Sequence, residues 1–452
     1  MKFRLNPGVF IRHSEGESIV WCPSNSGCTI LRNSQCFLDA IEKGWREESE
    51  CVASLARKYG WSPDEVRRDM GLVLKELIAQ GFVAFSGLNN VSVKKLNDSG
   101  GVAGNTDESA MANFYKRHNI PAELHIDLTD DCTERCVHCY VPRNDRHCLS
   151  FMMMEKSLRE FRLLNGLTVH LTGGEVMMHP NFESVCRLCV ELGLNLVVFS
   201  NMTLCSNERI TFLKKINPQF INVSLYSMKS DEHDRITRLP GSWKRTVDAI
   251  LRCCAAGVQC RIAVPVLKEN RHSLKEVKNF ADEHGMIMVP TWEIVAKADH
   301  CCDNLGYACS AEEMRDMLSR DYCLFQSGYD GQMPSRDKKV CGIGEGRLYL
   351  NAKGNYYPCD SMHEYVLGNV RENTVEEIWK GEKLNYLRGL KNRDFGSCAT
   401  CGNRPWCKVC PAANFNATGD LFTHHPNTCA LAGVVREVYG KQLKDGNLPS
   451  SM

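Results

Sequence analysis

From residue 120 to about residue 320, strand-like and helix-like stretches alternate along the chain. The candidate strands are Leu124–Leu128, Thr168–Thr172, Asn195–Ser200, Phe220–Tyr226, Gln259–Val266 and Ile287–Trp292. The first alternates apolar and polar residues, Leu124-His125-Ile126-Asp127-Leu128, as a strand with one buried face does. The intervening stretches are long enough for crossover helices. One of them, with Phe182, Val185, Leu188 and Leu192, has amphipathic helical spacing. Six βα units predict an α/β fold, a parallel sheet curved into a partial (β/α)6 TIM-like barrel with active residues at the carboxyl ends of its strands.

Residues 1–85 follow another order. Three short apolar stretches, Val9–Ile11, Ile19–Cys22 and Cys28–Leu31, are separated by turn signals at Ser14-Glu15-Gly16 and Pro23–Gly27. Helical periods follow in Phe37–Ile41 and Val52–Tyr59. A third helix starts at Ser62-Pro63-Asp64-Glu65, a capping box with proline at the first helical position. It runs through Val66, Leu72, Leu74, Leu77 and Ile78, with Gly81 as the stop. This order predicts a small winged-helix-like module. Its third helix mixes Asp64, Glu65, Asp69 and Glu76 with Arg67, Arg68 and Lys75, so it offers nucleic acid no basic face. Residues 86–118 are rich in Gly, Ser, Asn and Asp and predict a flexible linker.

Charge and composition narrow the classes. The net charge of the 452 residues is +1, which gives no global field for nucleic acid or an anionic membrane. No apolar run approaches a membrane span, and the first residues lack a signal-peptide core, so a cytoplasmic protein is expected. Twenty-five cysteines in such a chain point to metal or redox chemistry. Cys36, Cys186, Cys189, Cys253, Cys254 and Cys260 lie in apolar-periodic segments and are expected to be small buried hydrophobes.

The chemistry concentrates after the first barrel strand, in Cys132-x3-Cys136-x2-Cys139. Three thiolates on one loop can hold three irons of a [4Fe–4S] cube and leave the fourth open to substrate. Zinc would need a fourth ligand, for which His138 is the close candidate. At the end of the second strand stands Thr172-Gly173-Gly174-Glu175, whose glycines permit close approach to backbone and whose carboxylate can accept from an ammonium group. Ser200-Asn201-Met202-Thr203 ends the third strand and Ser224 the fourth.

The cysteine spacing resembles the cluster loop of the radical S-adenosylmethionine (SAM) enzymes. The resemblance implies that the open iron chelates SAM, that His138 lies near its adenine and that Gly173, Gly174 and Glu175 bind its amino group. It also places Ser200, Asn201 and Ser224 near SAM, whose reductive cleavage gives a 5′-deoxyadenosyl radical. Two departures stand out: Met202 replaces a usual glycine, and Tyr226-Ser227 replaces a common Asp-Gly. His233-Asp234 and Pro240-Gly241-Ser242 are read as structural.

The C-terminal field contains Cys341, Cys359 after a hairpin signal at Asn351–Asn355, then Cys398-x2-Cys401-x5-Cys407-x2-Cys410, and Cys429. Such spacing also suits a zinc knuckle. The order resembles the SPASM extension, which implies two auxiliary [4Fe–4S] clusters and three in all. By that resemblance Cys398, Cys401, Cys407 and Cys429 hold the distal cluster, and Cys341, Cys359 and Cys410 the proximal one. Its fourth ligand is either Cys323 or an iron left open to a substrate thiolate. Relatives have one residue more between the last two cysteines of the tight run. Asp360 is a candidate proton acceptor beside Cys359.

The expected domains are thus 1–85, the 86–118 linker, a 119–320 barrel, a 321–440 cluster domain and a 441–452 tail. The first resembles PqqD-like leader-peptide recognition domains, which capture a peptide strand on a sheet edge. The expected activity is oxidative modification of a ribosomally synthesised precursor peptide, as a cysteine thioether or a carbon–carbon crosslink, with flavodoxin or ferredoxin as electron donor. The alternatives are a sulfatase-type maturase, a peptide epimerase, for which Cys301, Cys302 and Cys309 are noted without a named hydrogen-atom donor, and a zinc- and DNA-binding regulator.

Overall fold

The computed structural model describes residues 2–23, 27–42, 44, 46–85, 106–142, 146–297, 299, 301–321, 324, 331–362, 365–424 and 426–444. It contains two compact units, Met1–Ala122 and Glu123–Met452.

In the first unit, β1 (Lys2–Leu5), β2 (Phe10–Ser14), β3 (Glu17–Cys22), β4 (Gly27–Arg32), β5 (Arg46–Glu47) and β6 (Val83–Phe85) form two antiparallel sheets. The strands expected from the sequence make the sheet β2-β3-β4, and a second sheet β5-β1-β6 joins three short segments far apart in the chain. Helices Gln35–Ile41, Glu48–Tyr59 and Pro63–Ala79 match the expected ones. The third opens on the Ser62/Glu65 capping box, with Ser62 Oγ accepting from Glu65 N at 3.2 Å. Its buried stripe is Val66, Met70, Leu74 and Leu77, while Leu72 is 65 % and Ile78 43 % exposed. Those two apolar residues lie off the stripe that faces Phe3, Leu38 and Phe82.

The expected linker needs correction. Thr106–Arg117 is a helix that lies against β4, and Arg117 and His118 both bind the Glu17 carboxylate, at 2.7 and 3.1 Å. Polar composition did not prevent order here, because the helix buries Phe114 and Tyr115 and its end brings Arg117 to a carboxylate on β3. The preceding 86–105 lie outside the described residues.

Among the described residues the second unit is built on nine strands: β7 (Glu123–Thr129), β8 (Thr168–Gly173), β9 (Asn195–Ser200), β10 (Phe220–Ser224), β11 (Cys260–Pro265), β12 (Ile287–Thr291), β13 (Arg347–Leu350), β14 (Asn355–Tyr357) and β15 (Gly368–Asn369). β7 to β12 are parallel neighbours in chain order, as the alternation predicts. One strand face carries Leu124, Ile126, Leu128, Val169, Leu171, Val198, Ile221, Val223, Ile262 and Val264, all essentially without solvent contact. Burying each such side chain contributes about 1.5–3 kcal/mol. The opposite face is polar, with Glu123, His125, Asp127, His170, Asn222 and Arg261.

β13 pairs in parallel with β7, Arg347 opposite Glu123 and Leu350 opposite Ile126, and β14 and β15 follow antiparallel. The expected boundary at 320/321 therefore falls inside one compact unit, since a sheet crosses it. The hairpin signal holds: Asn351 Oδ1 accepts from Lys353 N and Asn355 N, with Gly354 at φ +88°. The helix Phe182–Glu191 buries Cys186 and Cys189, the expected small hydrophobes.

Candidate active site

β7 hands the chain to the cysteine loop, and two neighbours hold that loop by its backbone. Gly174 N donates to Thr129 O and Glu175 N to Asp131 O, both at 2.7 Å. On the other side Arg135 N and Val137 N donate to Thr237 O and Ile236 O, the end of helix Ser230–Thr237. A cavity opens above the strand ends, lined by Cys132, Cys136, His138, Cys139, Gly173, Gly174, Ser200, Asn201, Ser224 and Tyr226. Nearly all the residues expected around the cofactor thus meet at one place.

Glu175 is the exception. It does not line the cavity and is wholly buried, its carboxylate accepting from Ser200 Oγ, Asn201 N and Met177 N at 2.8–3.0 Å. Burial pushes its carboxyl up, against the pull of those hydrogen bonds. In this arrangement it ties the end of β8 to that of β9. The glycines also serve the chain itself. A Cβ on Gly173, at φ +119°, would stand 2.5 Å from Thr129 O, and one on Gly174 would stand 2.2 Å from Asp131 O. The close approach they permit is that of the cysteine loop's own backbone. Met202, in the usual glycine position, has φ +63° and is buried.

Around the thiols stand Asn201 and His138, expected from the sequence, with Tyr226 and Glu134, to which sequence reasoning assigned no role at the cysteines. Asn201 Nδ2 reaches Cys132 Sγ at 3.6 Å and Thr133 Oγ1 at 3.0 Å. Tyr226 Oη donates to Cys136 Sγ at 3.5 Å, and the Cys136 thiol donates to Glu134 Oε2 at 3.2 Å. Burial raises the Glu134 carboxyl to about 8 and lowers the His138 imidazole to about 4, so His138 is neutral with Nδ1 unpartnered. Burial, with the charges of Glu175, Glu134 and Cys139, pushes Cys132 up to about 12. Cys136 rises too, from burial and then from Glu134 and the other two thiolates. Only the position of Tyr226, two residues beyond Ser224 at a strand end, hinted at its place.

This donor set fits an iron–sulfur cluster better than a single ion. A zinc tetrahedron with Zn–S of about 2.3 Å needs sulfurs about 3.8 Å apart. Among the described residues, the one group of three His, Cys or carboxylate ligand atoms within 4.8 Å of one another is Glu123, His125 and His170. Neither the cysteine loop nor the C-terminal field is such a group, and three thiols on one loop suit a cluster with an open iron, the zinc alternative needing a fourth ligand. The Glu123 group is itself a tie. Its Oε2 accepts from Arg347 Nε at 2.8 Å, with His125 and His170 Nε2 at 3.5 and 3.8 Å. The two imidazoles stack 4.0 Å apart, so their lone pairs lie in near-parallel planes.

In the C-terminal field, Cys359 is raised by burial, by Asp360 and by the charges of Cys410 and Cys341. Cys407 is pushed up to about 11 by burial, with Cys398, Cys429 and Cys401 adding to it. Cys410 and Cys341 thus stand near enough to Cys359 to act on its charge, as Cys398, Cys429 and Cys401 do on Cys407. Despite the short spacing, Cys410 opens helix Pro411–Thr418, its Sγ accepting from Ala413 N at 3.4 Å. Cys323 lies outside the described residues. Asp360 is exposed, bonded to Ser361, and close enough to Arg347 to favour that guanidinium. Asp234 is structural as expected, accepting from Gly241 N, Ser242 Oγ and Trp243 N. Cys301 and Cys302 are exposed; Cys309 is half-buried in a separate cavity with Glu293, Cys407 and Cys410.

Comparison with known proteins gives two family matches, the Radical SAM superfamily over residues 126–281 and SPASM, an iron–sulfur cluster-binding domain, over 341–402. The chain is 25 % identical to the AdoMet-dependent heme synthase of Methanosarcina barkeri over 68 % of its own length and 96 % of the relative's. It is 24 % identical to the subtilosin biosynthesis protein AlbA of Bacillus subtilis, over 71 % and 76 %. Its fold is similar to that of Streptococcus suis SuiB bound to S-adenosylmethionine, with a TM-score of 0.59 at 16 % identity, covering 94 % of this chain and 99 % of that one. SuiB has also been solved bound to precursor peptide SuiA. Among the described residues no helix is long and apolar enough to cross a membrane.

Proposed function

We infer, from a barrel that is a radical SAM domain and a C-terminal field that is a SPASM domain, that this enzyme oxidatively modifies a ribosomally made precursor peptide. The product we assign is a cysteine thioether, with a carbon–carbon crosslink as the next choice. One observation carries the reading. β7, which delivers the cysteine loop, pairs with β13, whose hairpin leads to Cys359, so a SAM site and an auxiliary cluster field share one sheet. An oxidation started at the first can pass its electron to the second.

Cys132, Cys136 and Cys139 would hold a [4Fe–4S] cluster with one open iron, which would supply the electron for reductive cleavage of SAM. Around it Ser224, His138 and the backbone of Gly173 and Gly174 form the walls that orient SAM, and Glu175 fixes Ser200 and Asn201. Cys341, Cys359 and Cys410 hold one auxiliary cluster, completed by Cys323 or left open to a substrate thiolate. Cys398, Cys401, Cys407 and Cys429 hold the other. Asp360, beside Cys359, takes the proton released as the peptide is oxidised. The first unit binds the leader on an edge of β2-β3-β4, as a PqqD-like domain would. Flavodoxin or ferredoxin in the cytoplasm supplies electrons.

Two measurements test this. Anaerobically reconstituted protein should hold roughly twelve irons, and lose about four when Cys132, Cys136 and Cys139 become Ala. With SAM, reductant and the cognate peptide, mass spectrometry should show loss of two hydrogens per linkage, and a thiol count separates thioether from carbon–carbon bond. Unchanged mass in ordinary water, with one deuterium taken up at an α-carbon in heavy water, would establish an epimerase instead. Turnover of a porphyrin and of no peptide would favour the activity named for the heme synthase relative.

A further inference from the structure

We propose that Tyr226 is a positioning residue for the SAM-binding cluster, setting its reduction potential through a hydrogen bond to the Cys136 thiolate. The inference rests on the reading that Cys132, Cys136 and Cys139 hold that cluster. Tyr226 Oη stands 3.5 Å from Cys136 Sγ and the residue is 3 % exposed, so bulk water does not compete for the bond. Its backbone is fixed on both sides, N donating to His233 Nδ1 at 3.3 Å and O accepting from Asn270 Nδ2 at 2.9 Å. Its ring meets His138 edge-on, with centroids 5.3 Å apart. These contacts fix the backbone of Tyr226 and pack its ring beside the cysteine loop.

The physical consequence has a definite sign. A donor to a ligating sulfur draws electron density from the thiolate and favours the reduced, more negative cluster, which moves the potential upward. Glu134 is also in contact with Cys136, its Oε2 accepting from the thiol at 3.2 Å. Asn201 reaches a second ligand sulfur from the end of β9, its Nδ2 standing 3.6 Å from Cys132 Sγ.

The test is Tyr226→Phe in the full-length, anaerobically reconstituted enzyme, which removes one oxygen and leaves the ring against His138. Iron content should match the unaltered protein. In a redox titration followed by electron paramagnetic resonance, the signal that changes on adding SAM should show a more negative midpoint. Signals insensitive to SAM should keep theirs. Site-specific 3-fluorotyrosine at position 226, a stronger donor, should move the same midpoint the other way. A midpoint unmoved by either change, with iron retained, overturns the proposal. Should Y226F lose iron, the fluorotyrosine protein still decides it. Failure of the underlying ligand reading is distinguishable, because then the three Cys→Ala changes would leave the SAM-sensitive signal in place.

Discussion

At the scale of single residues, the site is assembled around what fits beside a peptide backbone. Gly174 is the sharpest case, since its missing side chain is where Asp131 O stands. Gly174→Ala should displace the cysteine loop, with an overpacking cost of about 1–3 kcal/mol. Reconstituted G174A should lose about four irons while the remaining iron and the helical circular dichroism stay. Full iron content in G174A would show that the loop yields without losing its ligands. Met202 gives an inverted stability order. It is buried at 1 % exposure with φ +63°, so Met202→Ala loses packing of about 2–5 kcal/mol and keeps the left-handed strain. Met202→Gly loses similar packing but relieves about 1–2 kcal/mol of strain. Thermal melts should rank M202G at or above M202A, contrary to the usual penalty for glycine; the reverse order would mean that the backbone relaxes on truncation.

At the scale of elements, β7 is the strand on which everything turns, and its polar face is as informative as its apolar one. Asp127 lies there with 4 % exposure, accepting from Tyr349 of β13, whose hydroxyl has Tyr140 as its other partner. Burial, eased by Tyr349 and reinforced by the charges of Asp130 and Asp360, raises the Asp127 carboxyl from 3.8 to about 7. Between those values the folded protein holds a proton that the unfolded chain has released. This contribution is therefore greatest on the acid side, declines as pH rises through that window and is flat above about 7. Asp127→Asn has no proton to lose. Melting temperatures of D127N relative to the unaltered protein should rise from about pH 4 to 7 and level off above; parallel profiles would show that Asp127 stays ionised. The alternation Leu124-His125-Ile126-Asp127-Leu128 made this strand legible, because one face is apolar and the other polar, and that signal is local. Its partner β13 was not legible, being more than 200 residues distant in sequence, with no local signal that names a pairing. The same limit hid the burial of Glu175 and the contact of Tyr226, which depend on β9 and on the cysteine loop. Cysteine spacing fared better, since thiols so arranged are rare by chance and their chemistry is narrow.

At the scale of the whole molecule, the two units have separate hydrophobic cores, one built on Phe3, Leu38, Val66 and Leu77 and the other on the barrel strands. The cysteine loop, its cavity and both C-terminal cysteine sets belong to the second unit. If the first unit serves to hold a leader, its contribution is concentration: once the leader is bound, the core peptide meets the cavity as an intramolecular partner, at an effective concentration of the order of millimolar for a short tether. A core peptide without its leader must then be present at comparable concentration to react as fast. At about 10 μM peptide the leaderless substrate should therefore turn over at least about tenfold more slowly, chiefly through KM, with kcat little changed. Deleting residues 1–122 should bring the full-length precursor down to the leaderless rate, while iron content and peptide-independent SAM cleavage remain. The comparison of KM with kcat decides it, because a leader that activates the cavity rather than delivering the peptide would act on kcat. Equal KM values for the two peptides in the full chain would remove the first unit from substrate capture.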